Sequence, residues 1–149
     1  MRGCLKVLDR NIYVNVEDNH IVYVEFCDEK KLETHQNPLL IKLQKQCDDY
    51  SSSKLKTFDC PLSYKGTEFQ MKVWDALLTI PYGEVRTYKQ IAEQIGHPKA
   101  FRAVGGACNK NPIGLIIPCH RVIGSDHSLT GYAGGLEFKE LLLKHEHVL

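Results

Sequence analysis

Ile116-Ile117-Pro118-Cys119-His120-Arg121-Val122-Ile123 places a Cys-His-Arg triplet inside an apolar run. The β-branched residues on both sides fit a packed strand or core segment. In a regular strand Cys119 and His120 would point to opposite faces. Pro118 cannot donate a ladder hydrogen bond, so the triplet is expected in an irregular turn at the end of buried structure. A thiol beside an imidazole and a guanidinium is a setting that lowers a cysteine pKa from about 8.5 to roughly 3.5–7.5. Cys119 is thus a candidate nucleophile. The alternative is an inert buried thiol whose polar neighbours face solvent.

Upstream of this stretch the pattern is helical. Thr67 and Gln70 make a capping-box pattern ahead of Phe69, Val73, Trp74, Leu77 and Leu78, an apolar stripe that Pro81-Tyr82-Gly83 ends. A second capping-box pattern, Thr87 with Gln90, precedes Ile91, Ala92 and Ile95. Gly96-His97-Pro98 reads as a turn, and Ala100 to about Asn109 as a further helix with Phe101 and Val104 inward. Two short helices joined by a Gly-containing turn form a helix-turn-helix unit. Lys99, Arg102 and Lys110 are expected to face outward, while Ala103, Gly105, Gly106 and Ala107 keep one side of the second helix slim. Mid-helix glycines cost roughly 1 kcal/mol each against Ala. The pair therefore points to close approach by another backbone, of protein or nucleic acid, or to helix–helix packing inside the domain. Downstream, Gly131-Tyr132-Ala133-Gly134-Gly135 reads as a loop. Leu136, Phe138, Leu141 and Leu142 give the apolar face of a last helix that leads to Lys144-His145-Glu146.

Toward the N-terminus the period changes from helical to alternating. Residues 5–8, 12–16 and 21–26 are short runs rich in Val, Ile and Tyr, with turn chemistry at Asp18-Asn19-His20, and predict an antiparallel meander. Asn37-Pro38 then signals a helix start, with Leu39, Leu40, Leu43 and Cys47 at helical spacing up to about Asp48. Ser51-Ser52-Ser53 and residues 54–57 read as a linker. The expected architecture is α+β. A small N-terminal domain of sheet and helix (residues 1–62) precedes a helical C-terminal domain (63–149) containing the helix-turn-helix.

The composition, 43% hydrophobic and 25% charged over 149 residues, is that of a globular chain rather than a disordered one. Its apolar stretches are too short to span a membrane, and no signal-peptide pattern opens the chain. Six cysteines without a secretory signal are expected to be reduced thiols in an intracellular compartment. The net charge is only +1, yet residues 85–121 hold six basic residues against one acid, Glu93, which suits a polyanion-facing surface.

Pro118-Cys119-His120-Arg121-Val122, with Asn111-Pro112 and Arg102-Ala103-Val104-Gly105 before it, resembles the O6-alkylguanine-DNA alkyltransferase family. So do residues 81–88 and the loop 131–135, and the likeness runs from about Phe69 to Glu146. The resemblance implies a DNA repair protein that flips out O6-alkylguanine and moves the alkyl group irreversibly to Cys119 in one stoichiometric turnover. It implies His120 as base, Glu146 as its orienter, Tyr88 as proton donor to the leaving guanine and Asn111 as brace of the acceptor turn. It implies double-stranded DNA bound through the minor groove. Arg102 would fill the vacated stack, with Ala103, Gly106, Ala107, Thr87, Lys99 and Arg121 on the DNA side. Tyr132, Ala133, Gly134 and Val122 would wall the base pocket. Ala133 stands where the family usually has serine, which bears on substrate range.

Two other functions compete on residue chemistry: a thiol hydrolase using Cys119 and His120, and a DNA-binding regulator in which Cys119 is core. A structural zinc on Cys4, Cys27, Cys60 and His20 or His35 is weighed as well, but those spacings fit no compact zinc pattern. The expectation is a monomer with no metal, no cofactor and no membrane association.

Overall fold

The computed structural model describes residues 1–27, 37–129, 132 and 135–149. The chain divides into two compact units. One is Met1–Tyr64 with Pro112–Gly114; the other is Lys65–Asn111 with Leu115–Leu149.

The first unit is an antiparallel meander, β1 (Arg2–Val7), β2 (Arg10–Glu17) and β3 (His20–Cys27), with helix α1 (Pro38–Ser51) packed on it. Both hairpins turn on two residues with left-handed backbone, Leu8-Asp9 and Asp18-Asn19, as a two-residue turn that follows strand twist requires. Ile12, Val14 and Val16 of β2 are buried in strict alternation. A register shift between Asn15 and Val16 pairs Val16 with Ile21, so Ile21 rather than Val22 joins the buried side of β3. Backbone groups on the far edge of β3 are also bonded. Ile21 N–H donates to Pro61 O and Ile21 O accepts from Ser63 N–H, while Val24 N–H donates to Pro112 O and Val24 O accepts from Gly114 N–H.

In α1, Asn37 accepts from Leu39 N at 2.8 Å with Pro38 at the first turn, the N-cap chemistry the sequence signals. Leu39, Leu40, Leu43, Cys47 and Tyr50 form its buried face. The helix runs one turn past Asp48, so Ser51 is not linker. Its hydroxyl donates to Cys47 O and accepts from Leu8 N, fastening the helix end to the first hairpin.

The second unit holds α2 (Glu68–Leu77), α3 (Tyr88–Gln94), α4 (Phe101–Asn109) and α5 (Leu136–His145). It also holds a short parallel ladder, β4 (Arg86–Thr87) with β5 (Val122–Ile123). Both capping boxes form, at Thr67/Gln70 and Thr87/Gln90. Gly96, at φ +83°, ends α3 in a left-handed cap, with His97 N–H reaching back to Ala92 O, and α4 follows to complete the helix-turn-helix.

Four sequence expectations shift within the helices. Leu78 caps α2 and is exposed, while Ala76 takes a place in its buried face. Phe101, in the first turn of α4, points to solvent at 45% exposure, because the inward stripe is Val104, Ala107 and Cys108. Leu136 is exposed, and the buried residues of α5 are Lys139, Leu142 and Leu143. Neither α4 glycine meets another protein backbone among the described residues. A Cβ on Gly105 would touch the Tyr88 ring at an ordinary 3.8 Å, and one on Gly106 would have nothing within 4 Å.

Candidate active site around Cys119

Local backbone geometry presents the triplet as a turn rather than a strand. Pro118 sits at φ −82°, ψ 63°, and Cys119 N–H donates to Ile117 O at 2.8 Å, closing an inverse γ-turn. Arg121 N–H then donates to Pro118 O at 3.0 Å, and residues Cys119–Arg121 form one turn of 3-10 helix that leads into β5. Since β5 pairs with β4, this exit from the turn lies beside Thr87, the residue that opens α3 and precedes Tyr88.

Asn111 braces the turn. Its Nδ2 donates to Ile117 O at 2.8 Å and to Cys119 Sγ at 3.2 Å. A donor aimed at sulfur favours the thiolate. Burial works against it and is the larger influence. Cys119 is only 3% exposed, and its thiol is pushed up to about 11, although the Asn111 bond and the Lys139 charge pull it down. In the resting protein burial therefore outweighs the neighbours that would lower the thiol. The imidazole is turned to another partner, and the guanidinium charge is committed elsewhere.

That partner is Glu146, just past α5. His120 Nε2 and Glu146 Oε2 are 2.8 Å apart, both side chains fully buried. Arg121 Nε donates to Glu146 Oε1 at 2.7 Å, and its terminal nitrogens to Glu146 Oε2 and Ile80 O. Burial raises the Glu146 carboxyl, but the His120 and Arg121 contacts outweigh it and hold the group at about 2. Burial lowers His120 despite Glu146. The ring is therefore neutral, with Nε2–H donated to the carboxylate and a basic lone pair on Nδ1. Nδ1 is buried and has no hydrogen bond to a described protein group.

Arg121 is thus a buried structural ion-pair partner, not a DNA-facing cation; the carboxylate opposite keeps it inside. Ala107 is corrected in the same way. It is 3% exposed, and its carbonyl accepts from Trp74 Nε1 at 2.9 Å, tying α4 to α2. Arg102, Ala103, Gly106 and Lys99 do lie exposed on or beside α4. Thr87 is half-buried, its hydroxyl occupied in capping α3. Tyr132 stands edge-on to His120 with ring centroids 6.5 Å apart, and Val122 is fully buried at the turn exit. Ala133 and Gly134 lie outside the described residues.

One residue of the site escaped the sequence reading. Lys139 on α5 is fully buried, donates from Nζ to Val122 O at 2.5 Å, and lies 5.7 Å from the Tyr88 ring centroid. The available signal was its i, i+3 spacing to Leu142, on the apolar stripe of α5. Among the described residues, no group of three or more His, Cys, Asp or Glu is placed to hold a metal ion; His35 lies outside them.

Residues 68–148 match the family described as "6-O-methylguanine DNA methyltransferase, DNA binding domain". The chain is 49% identical over 136 residues to the methylated-DNA–protein-cysteine methyltransferase of Methanosarcina acetivorans, covering 87% of each chain. The chain belongs to this family. A Methanosarcina barkeri relative of the same name is 63% identical over 102 residues, which cover 68% of this chain and 65% of that protein. The fold also superposes on the crystal structure of Mycobacterium tuberculosis OGT in complex with DNA. That TM-score is 0.87 at 40% identity, over 97% of this chain and 91% of the other. As a member, the chain is a DNA-binding repair protein whose reaction moves a methyl group from DNA to a protein cysteine. No helix of the described residues is long and apolar enough to cross a membrane.

Proposed function

We propose that Cys119 is the acceptor, that the donor is O6-alkylguanine flipped from duplex DNA, and that each molecule reacts once. The hydrogen bond from Asn111 to Cys119 Sγ carries this reading, because it holds that thiol in place and favours its ionised form. His120 supplies the base. Its Nδ1 lone pair takes the thiol proton, directly or through water, while Glu146 steadies the imidazolium that forms. The sulfur attacks the alkyl carbon in line, an S–C bond forms, and the C–O bond breaks with its electron pair passing into the guanine ring. Tyr88 protonates the departing base and is reprotonated in turn, so the proton lost by the thiol ends, in net, on guanine. The thioether has no route back, which makes the protein a stoichiometric acceptor.

The lesion lies within the stack, and chemistry on it requires extrusion at a cost of a few kcal/mol. Arg102, exposed on α4 beside the slim Ala103 and Gly106, suits minor-groove entry and filling of the gap. Minor-groove readout is degenerate, which fits repair at any sequence. No metal or cofactor enters this reaction, and one copy carries every residue it uses.

Mixing the protein with duplex containing O6-methylguanine and mapping the product by mass spectrometry tests the reading. One methyl on the Cys119 peptide, none on Cys108, and an end to transfer when protein is exhausted are expected. Turnover beyond one equivalent, or methyl on another cysteine, would overturn it.

A further inference from the structure

We propose that Phe101 is a second wedge of α4, an aromatic ring that works beside Arg102 by stacking on the base next to the extruded nucleotide. This rests on α4 as the helix that enters the minor groove and on a flipped lesion as donor. Most of the exposed side of α4 is thin. Ala103 and Gly106 lie exposed, and a Cβ on Gly106 would have nothing within 4 Å. Two bulky side chains stand out from that surface, Phe101 and Arg102, in consecutive positions of the first turn.

The Phe101 ring is not spent on holding the fold. It is 45% exposed, and the inward stripe of the helix is Val104, Ala107 and Cys108. The aromatic that packs the turn between α3 and α4 is Phe69 of α2, whose ring lies 6.0 Å from that of His97 at 63°. A single exposed apolar residue is ordinary on a protein surface, so its place decides what this one does. Residues four apart share a helix face, which puts Phe101 on the side of α4 that carries Gly105. A Cβ on Gly105 would meet the Tyr88 ring at 3.8 Å. Phe101 therefore marks the edge of α4 nearer Tyr88. Arg102, about 100° further round, lies opposite the buried stripe.

Proteins that work in the minor groove insert apolar wedges between base steps and so unstack them. Arg102 brings a charged plane to the vacated position. A phenyl ring adds an apolar surface on which the neighbouring base stacks, and it favours no sequence, because every base has a π-face. The duplex is then kept from closing by two side chains. Arg102 fills the gap, and Phe101 holds the step beside it, on the side from which the lesion leaves toward Tyr88.

The measured quantity is the rate of transfer from duplex O6-methylguanine divided by the rate from free O6-benzylguanine, in single turnovers with the alkylated peptide mapped. Phe101→Ala suits this test, since it empties no core space and alanine favours a helix. The ratio should fall about tenfold in Phe101→Ala and stay near native in Phe101→Trp, which restores a stacking ring. Arg102→Ala serves as the reference. A ratio lowered by Arg102→Ala but not by Phe101→Ala overturns the role of Phe101 alone. A ratio moved by neither overturns the entry of α4 into the groove along with it. Equal losses in Phe101→Ala and Phe101→Trp would mark a disturbed helix and also overturn the wedge. Failure of Cys119 as acceptor would show separately, as alkyl on another peptide.

Discussion

His120 Nε2 meets Glu146 Oε2 at 2.8 Å across 26 residues of sequence, with both side chains sealed from solvent. The carboxylate fixes which imidazole nitrogen carries the proton and leaves the other as base. Arg121 occupies the remaining oxygen, so the carboxylate is neutralised where it lies rather than free to leave for water.

Acid should unfold this protein through that contact. Glu146 is held at about 2 against an ordinary 4.5, and His120 is held below its ordinary 6.5. In both cases the unfolded chain binds more protons, so stability falls as pH falls. The His120 loss begins below 6.5; the Glu146 contribution is complete above 4.5 and disappears toward 2. Urea midpoints taken from pH 7 down to pH 3 should fall throughout, and a midpoint independent of pH would contradict the native pairing.

Glu146→Gln preserves the shape and removes the charge. It leaves Arg121 buried without its counter-ion, which costs about 3–5 kcal/mol in a site of this kind. Chemical denaturation should show that loss, with the acid dependence below pH 4.5 flattened. Transfer should slow in the residual folded fraction, because the imidazolium loses its partner.

Asn111→Ala removes the donor to Cys119 Sγ and to Ile117 O together. Hydrogen bonds to charged groups contribute about 1.5–3 kcal/mol, so single-turnover transfer should slow roughly tenfold to hundredfold. Stopped-flow transfer from duplex, with DNA affinity measured in parallel, checks this. Affinity should change little.

Arg102→Ala should slow transfer from duplex far more than from free O6-benzylguanine, which needs no flipping. Competition between the two substrates measures the ratio directly. Equal losses on both would remove Arg102 from base extrusion.

Tyr88→Phe keeps the ring facing Lys139 and removes the hydroxyl. A slower transfer step, by roughly tenfold to thousandfold, is expected from a lost general acid. An unchanged single-turnover rate at saturating protein would exclude that role.

Much of this was legible in the chain because the signals were local. Two capping boxes, Asn37-Pro38 and the Gly96 turn each satisfy helix-end groups with residues nearby, and each forms. Pro118 alone was enough to place the triplet in a turn. What escaped depends on contacts far apart in sequence. Arg121 was read as a surface cation because its carboxylate lies 25 residues away, and Ala107 as a DNA contact because its Trp74 partner lies 33 away. Lys139 shares the apolar stripe of its helix, but a lysine reads as solvated until the buried carbonyl that accepts it is known. The raised Cys119 thiol follows the same logic: neighbours in sequence suggested activation, whereas burial in three dimensions sets the resting state.

The bonds between Val24 and Pro112–Gly114 have a practical consequence for dividing the chain. A cut after residue 64 would look like a clean separation of two modules. The first piece would lose the segment bonded to Val24 and expose an open strand edge, a template for pairing with another copy. The second piece would carry three residues whose bonding partners had gone. Complementation by split fragments at that junction should therefore compete with self-association of the N-terminal half, whereas a circular permutant that keeps all the segments together avoids the hazard.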